Sequence, residues 1–410
     1  MKIGAFARSH GVNPSTVRFY IDRALLTPRT ENGRYVFNEV NDAQMEKILK
    51  YKRYRFSLEE IEFLFSYENL SNLKDDRIIT EITNILENKK KLLMQEITAL
   101  NTIMKDIDGE IESFGSLKKN ITKNTYLPLG TLNLLCCPEC GNDLHLENAD
   151  IEPSGIKEAT VKCACGYKVK IEDGILICPE HMDNSPFKVY ENVDSIISMA
   201  KDFSPSFRRM VLKGYLRVYH QLLNSCNNLP GIMLIGPLSY NFILGYMRFI
   251  PKGATVIIVD VSLMKLQKMK THLSDSGRDV LCIAGDISKT PIRKKVIDLF
   301  IDDYSFNNYG ITYDRNLFID ITPFLKDNGI VVGQFIDYSK APKSSKNIKT
   351  EYPECNMDWA TLKRAYVSLA GAGLTIVERT TIGAPEGNNL DFVWQIDNEK
   401  LSLITYIARK

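Results

Sequence analysis

Cysteines carry the most specific chemistry in this 410-residue sequence. Cys137 and Cys140 form one close pair, Cys163 and Cys165 form a second, and a glycine follows each pair directly. The interval between the pairs is long enough for a β-hairpin. Two such pairs are typical of a closed tetrahedral zinc site, which leaves no coordination position for catalysis. We therefore predict a structural Zn2+ ion on these four thiolates, rather than a redox dithiol, although the nearby Cys136 or Cys178 could replace Cys163.

The composition excludes several classes of protein. Lys and Arg number 52 against 50 Asp and Glu, so a nucleic-acid footprint has to be local. We find no apolar stretch long enough to cross a membrane and no secretion signal, which predicts a cytoplasmic protein without membrane contact. The length suggests two to four domains.

The chain begins with a helix-turn-helix pattern. Gly11 can form the tight turn, Asn13 the N-cap and Pro14 the first position of the second helix. Residues 28–37 then read as two short strands around an Asn32-Gly33 turn, which makes a basic wing. Residues 1–55 hold eleven Lys and Arg against five acids. These features together predict a DNA-binding domain.

The candidate DNA-binding residues lie on the second helix and the wing. Hydroxyl and guanidinium groups there suit base edges and phosphates. The candidates on the face of the helix that we predict to be exposed are Ser15, Thr16, Arg18, Phe19, Tyr20 and Arg23, and those on the wing are Arg34 and Tyr35.

The segment from Ile3 to Phe65 resembles the N-terminal domain of MerR-type transcription regulators. The runs Gly11-Val12-Asn13-Pro14-Ser15-Thr16-Val17-Arg18-Phe19-Tyr20 and Arg55-Phe56-Ser57-Leu58-Glu59-Glu60-Ile61 match, while the wing has Gly33-Arg34-Tyr35 where the family more often has Gly-Tyr-Arg. The resemblance implies DNA contacts from Thr16, Arg18, Tyr20 and Arg34. It also implies promoter DNA and RNA polymerase as partners, with distortion of the promoter as the mechanism.

A long helix follows at residues 76–116. Its core positions alternate four and three residues apart, which predicts a coiled-coil seam that needs a partner. We expect a homodimer, with packing on the chain's own C-terminal domain as the alternative. The seam positions are 79, 83, 86, 90, 93, 97, 100, 104, 107, 111 and 114.

The predicted organisation is multidomain. An all-α winged helix-turn-helix domain (1–72), a coiled-coil helix (73–118) and a linker (119–134) precede a small β zinc ribbon (135–182). The ribbon resembles those that accompany some RNA methyltransferases. An α/β doubly wound, Rossmann-like domain with a helical lead-in occupies residues 183–410, with late strands expected at 373–378 and 392–395.

The α/β domain resembles class I S-adenosylmethionine-dependent methyltransferases. The resemblance implies that Asp260 holds the ribose hydroxyls of the cofactor and Asp286 reads its adenine amino group. Two further residues are predicted to bind the cofactor, namely Gly236, which follows the first strand, and Asp302, which ends a later strand on the acceptor side. In this family the first strand leads into a glycine-rich loop, but here the loop is Gly236-Pro237-Leu238-Ser239-Tyr240, whose bulk opposes cofactor binding.

Three functions fit these patterns. The first is a DNA-binding transcription regulator whose methyltransferase-like domain senses a small-molecule effector, S-adenosylmethionine included. The second is an active S-adenosylmethionine-dependent methyltransferase for RNA or a small molecule with an attached DNA-binding domain. The third treats the C-terminal half as a protein-interaction platform without a ligand.

Overall fold

The structure is a computed structural model of the whole chain. It describes residues 1–70, 75–117, 126–182, 204–225, 231–237, 245, 250, 253–273, 277–383 and 399–410. The chain divides into two compact units, Met1–Lys118 and Lys119–Lys410. In the described ranges, no helix is both long enough and apolar enough to span a membrane.

The N-terminal unit begins with a helix-turn-helix. Helix α1 (Ile3–Ser9) ends before Gly11, whose φ of +65° is accessible to glycine at low cost. Helix α2 (Pro14–Asp22) begins at the predicted proline, after Asn13 in an extended conformation. The two helices pack on each other through a small apolar core that includes Phe6, Ala7, Val17, Leu25, Met45 and Ile48.

A two-stranded wing and two further helices complete the first domain. Strands β1 (Arg29–Glu31) and β2 (Arg34–Val36) are antiparallel and meet at Asn32 and Gly33, which both have positive φ. That geometry is the two-residue hairpin turn that an Asn-Gly pair favours. Helix α3 (Glu39–Arg53) starts with a reciprocal capping box between Asn38 and Asn41, and helix α4 (Leu58–Leu70) follows.

Helix α5 (Asp76–Leu117) has 42 residues, which corresponds to about 63 Å. Ile82 and Ile85, near its start, pack against the core of the first domain. The predicted seam runs beside these residues along the helix and is open to solvent over most of its length. Its exposed members include Ile79, Leu86, Ile97, Leu100, Met104, Ile107, Ile111 and Phe114.

The C-terminal unit is built on one large mixed sheet. Eleven strands of the described residues pair in the order β12-β13-β11-β10-β7-β8-β9-β6-β5-β4-β3. The five strands from β11 to β9 are parallel to one another, while β13 is antiparallel to β11 and to β12. The bounds are β3 His145–Glu152, β4 Gly155–Lys162, β5 Lys168–Glu172, β6 Ile175–Ile177, β7 Ile232–Ile235, β8 Thr255–Asp260, β9 Asp279–Ala284, β10 Ile297–Asp303, β11 Leu325–Asp337, β12 Thr375–Ile382 and β13 Ser402–Arg409.

Helices cover both faces of this sheet. Helices α6 (Pro205–Ser225) and α7 (Leu263–Leu273) pack on one face. The opposite face is covered by α8 (Ser305–Tyr313), α9 (Leu317–Ile321) and α11 (Leu362–Gly371). Helix α10 is Pro342–Glu351, and short 3-10 turns lie at Leu129–Leu134, Ile287–Lys289 and Met357–Ala360. The predicted late strand at 373–378 corresponds to β12, whereas 392–395 lies outside the described residues.

The cysteine-containing hairpins are continuous with the α/β sheet. Strand β6 pairs in parallel with β9, and the hairpin residues share one apolar core with the central strands. Part of the predicted linker belongs to the same assembly. Leu127 is buried and pairs with Ile156, and Leu134 is buried too, so residues 126–134 are packed rather than free. Apolar side chains in a segment that looks polar overall explain this difference.

Candidate metal centre, DNA-binding surface and ligand crevice

Four cysteine sulfurs converge at the base of the hairpins. The Sγ atoms of Cys137, Cys140, Cys163 and Cys165 all lie within 4.8 Å of one another. The Cys137–Cys165 and Cys140–Cys163 sulfur distances are 3.5 Å and 3.4 Å. A tetrahedron with metal–sulfur bonds of about 2.3 Å has sulfur–sulfur edges of about 3.8 Å. The four residues could therefore hold a metal ion, and the donor set matches the one that zinc prefers.

Tight turns produce this convergence. The N–H of Gly141 donates to the Cys137 carbonyl at 2.9 Å, and Gly166 donates to Cys163 at 3.1 Å. Both glycines have positive φ, which permits each pair of thiols to face the same point. Cys136 and Cys178 lie outside the cluster, and among the described residues no other group of His, Cys, Asp and Glu could hold a metal ion.

The second helix and the wing present a polar and basic surface. Ser15, Arg18, Phe19 and Arg23 are exposed on α2, and Thr16 is half-buried. Arg34 and Tyr35 are exposed on the second strand of the wing. The Arg23 guanidinium lies over the Phe19 ring at 5.0 Å and pairs with Glu62 at 2.8 Å.

Acidic side chains meet at the carboxyl ends of β8 and β9, where an open α/β sheet forms its ligand crevice. Asp260 is the last residue of β8 and is buried, with its Oδ1 accepting from the Ser262 N–H at 2.8 Å. Asp286 follows β9 and caps a 3-10 turn, accepting from the N–H and the hydroxyl of Ser288. Burial and the charges of Asp260 and Asp286 raise the pKa of Tyr313, which lies near both acids.

Arg315, which sequence reasoning missed, occupies this crevice. It donates to Asp286 at 2.7 Å and to Asp320 at 3.0 Å, and its guanidinium lies near the Tyr309 ring. Burial raises the pKa of Asp286, but hydrogen bonds from Ser288 and Arg315 outweigh it, so the pKa is lower than usual. No local sequence motif identifies Arg315, because its partner Asp286 is far away in the sequence.

The comparisons with known proteins bear on each unit separately. Residues 1–68 match the family described as MerR HTH family regulatory protein. This segment is a MerR HTH domain. A search of curated proteins gives no match for the sequence.

In the MerR domain, one candidate residue does not lie where the sequence placed it. Tyr20 was expected on the exposed face of α2, but only 6% of its surface is exposed, and burial raises its pKa. It packs with Val17, three residues earlier, on the inward face of the helix. Ile21 also packs against this core, so the buried edge of α2 contains the predicted Val17 and Ile21 and extends to Tyr20.

Solved structures, a methyltransferase among them, are similar to about half of this chain. A geranyl diphosphate C-methyltransferase from Streptomyces coelicolor A3(2) is 13% identical, with 47% of this chain and 74% of that chain covered and a TM-score of 0.36. The MccD protein is also 13% identical, over 47% of this chain and 96% of that one, with a TM-score of 0.39. Five parallel strands with a reversed strand β13 inserted between β11 and β12 give the unit a class I methyltransferase-like fold.

Asp302 does not face the crevice. Its side chain is fully buried, with one carboxylate oxygen 2.5 Å from the Tyr406 hydroxyl and the other accepting from the Phe306 N–H at 2.7 Å. Burial raises its pKa to about 7. The prediction that Asp302 binds cofactor is wrong, because alternation along β10 turns this side chain into the core, where it anchors the start of α8.

The described residues cover only part of the crevice in which a methyltransferase cofactor would lie. Both carboxylate oxygens of Asp286 accept hydrogen bonds within the chain. A Cβ at Gly236 would lie 2.3 Å from the Ser305 hydroxyl, so this position has no room for a side chain. Residues 238–240 of the loop, whose bulk was predicted to oppose cofactor binding, lie outside the described residues.

Proposed function

We propose that this chain is a homodimeric, MerR-type transcription regulator that binds double-stranded promoter DNA in the cytoplasm. The MerR HTH domain at residues 1–68 carries the proposal. Exposed Arg18 on α2 and Arg34 on the wing supply cations for phosphates and base edges, with Ser15, Thr16, Phe19, Arg23 and Tyr35 completing the surface. Tyr20 supports the helix from inside.

The homodimer is supported by the exposed seam of α5. Ile97, Met104 and Ile111 are each more than half exposed. A second copy of α5 in a coiled coil would bury them, and burial of apolar surface is favourable at about 25 cal/mol per Å2. Two-fold symmetry would then match the two half-sites of an operator.

The metal centre is proposed to hold structural Zn2+. Four thiolates fill the tetrahedral coordination of this ion, so the ion would stabilise the hairpins and take no part in a reaction. We place the cysteine hairpins within the C-terminal unit, since they share its sheet.

The C-terminal unit is proposed to act as an effector sensor. Its crevice at the strand ends would take a small-molecule effector. Differential binding of that molecule to two arrangements of the dimer would change how the promoter is distorted and presented to RNA polymerase.

The experiment is a binding titration of the full-length protein with its own promoter DNA and with unrelated DNA. We expect specific binding at least about a thousandfold tighter than binding to unrelated DNA at physiological salt. Arg18→Ala and Arg34→Ala should each weaken specific binding about tenfold, at a cost of about 1–3 kcal/mol. Lys346→Ala, which removes an exposed charge from α10, is the control. Equal affinity for both DNAs would refute the proposal.

An active methyltransferase is the second candidate, and the strand order of the C-terminal unit favours it. Its test is titration calorimetry of the full-length protein with S-adenosylmethionine and S-adenosylhomocysteine. We expect no saturable binding heat at ligand concentrations up to about 1 mM. A dissociation constant of that size corresponds to a binding free energy of about −4 kcal/mol. Saturable binding well below that concentration would support the enzyme and would contradict the prediction that the bulky loop after Gly236 opposes cofactor binding.

A further inference from the structure

Two side chains of α5 hold the turn between α3 and α4 in the N-terminal unit. The first is Lys89, whose side chain is only 14% exposed. Its ammonium donates to Glu60 at 2.8 Å and to the Arg55 carbonyl at 3.3 Å, and it lies over the Phe56 ring at 4.7 Å. Three different partners thus bind one partly desolvated cation, which fixes this point of α5 against the turn.

Glu60 is itself held rigidly. It closes a capping box at the start of α4, since the Ser57 N–H donates to its carboxylate at 2.6 Å and the Glu60 N–H donates to the Ser57 hydroxyl at 3.1 Å. Burial raises the pKa of Glu60, but the hydrogen bonds from Lys89 and Ser57 outweigh burial and lower it. Glu60 therefore remains an anion that links the first turn of α4 to α5.

The second contact comes from Glu96, seven residues after Lys89 on the same side of α5. One guanidinium nitrogen of Arg55 donates to both carboxylate oxygens of Glu96, at 2.8 Å and 2.9 Å. Arg55 has a φ of +62°, a backbone conformation that is uncommon for a residue with a side chain. Two attachment points two turns apart fix the direction of α5 as well as its position.

We propose that Lys89 and Glu96 are positioning residues that determine which operator spacing the protein accepts. This inference rests on the proposed function, in which α5 joins two copies through its seam. Lys89 and Glu96 directly precede the seam positions 90 and 97, so they flank the seam on one side without belonging to its apolar positions. Each recognition helix then has a fixed position relative to the seam, and the distance between the two recognition helices is fixed in turn.

Operator spacing is sensitive to this geometry. One added base pair moves a half-site by about 3.4 Å and rotates it by roughly a tenth of a turn. A rigid connection between α5 and the DNA-binding domain rejects that displacement, whereas a loosened connection tolerates it. Contacts within a single half-site do not involve Lys89 or Glu96 and keep their strength.

The experiment measures binding of the full-length protein to its operator and to versions with one base pair added to or removed from the centre. We expect the wild type to prefer its own spacing by about tenfold or more. Lys89→Met should reduce that preference to less than about threefold, and Glu96→Gln should reduce it by a smaller factor because the Arg55–Glu96 pair is exposed, with single half-site affinity unchanged in both variants. Lys91→Met, two residues away on an exposed part of α5, should behave as wild type.

Each outcome has one meaning. Variants that retain the spacing preference would overturn the inference, as would a loss of half-site affinity equal to the loss for the operator. Glu96→Gln guards against misfolding, because Glu96 is half exposed and its replacement keeps the size of the side chain. A wild type that recognises no operator would refute the proposed function instead.

Discussion

The cysteine centre and the strand-end crevice were both predicted from short patterns, yet they differ in what the fold does with the predicted residues. At the cysteine centre, four thiols converge to within 4.8 Å, and sulfur–sulfur contacts join Cys137 to Cys165 and Cys140 to Cys163. In the crevice, Asp286 is engaged by Ser288 and Arg315. The spacing of residues is enough to predict a site when local turns orient every ligating side chain toward the same point. It is not enough when side chains from elsewhere in the sequence can form hydrogen bonds with the predicted binding groups.

The largest expected effect comes from removing a thiol of the metal centre. Cys140→Ser should lose the bound metal, and the unfolding temperature of the C-terminal unit should fall by on the order of 10 °C, because metal binding contributes directly to folding. Metal content per chain and thermal unfolding check this. Cys136→Ser is the matched control and should keep one metal ion. Retention of metal by Cys140→Ser would contradict the claim that the four converging thiols form the metal site.

The next effect concerns Asp302, the acid that proved to be buried in the core. Its folded pKa of about 7 lies above the unfolded value of 3.8. The stabilising contribution is therefore complete below about pH 4 and is lost as pH rises through 7. Asp302→Asn should remove this dependence and add roughly 1–3 kcal/mol at pH 8. Urea unfolding at pH 5 and pH 8 measures it, with Asp358→Asn as the exposed control; parallel curves for wild type and Asp302→Asn would contradict the prediction.

A smaller effect is expected from Arg315→Met in the crevice. Asp286 has a lowered pKa, so its contribution to stability is present above pH 4 and is lost as pH falls through the folded pKa. Without Arg315 the stability at pH 7 should fall by about 1 kcal/mol or less, since the guanidinium is partly exposed. NMR titration of the Asp286 carboxyl should show a higher pKa. An unchanged value would mean that Arg315 does not hold this acid.

The smallest effect should come from the surface pair beside the cysteine loop. Arg293 donates to Asp143 and, at 2.9 Å, to the Asn133 carbonyl. Exposed ion pairs contribute little, so Arg293→Ala should shift the unfolding temperature by less than about 2 °C. Calorimetry of the metal-loaded protein provides the value. A large shift would show that the cysteine loop depends on this contact rather than on its own turns.

The sequence was most informative where the signal is local. The Asn32-Gly33 turn, the proline that begins α2 and the long helix from residue 76 all follow from neighbouring residues. The cysteine cluster could be predicted for the same reason.

Tertiary contacts account for the rest. The burial of Tyr20 together with Ile21 depends on how α2 packs against the rest of the domain, which the sequence of the helix alone does not determine. The inward orientation of Asp302 depends on the register of β10 against β11. Arg315 reaches Asp286 only after α8 and α9 are in place.

The parallel pairing of β6 with β9 also protects the protein against self-association. Without the cysteine hairpins, β9 would be an edge strand. The unpaired backbone N–H and C=O groups of its apolar segment, Val280 to Ile283, could then pair with another chain. The hairpins move the edge outward to β3, which carries Glu147, Asp150 and Glu152 and has shifts in its register. Charges and irregular pairing are features that discourage edge-to-edge aggregation. Because the hairpins depend on the metal, loss of the metal should first lower the solubility of the folding protein.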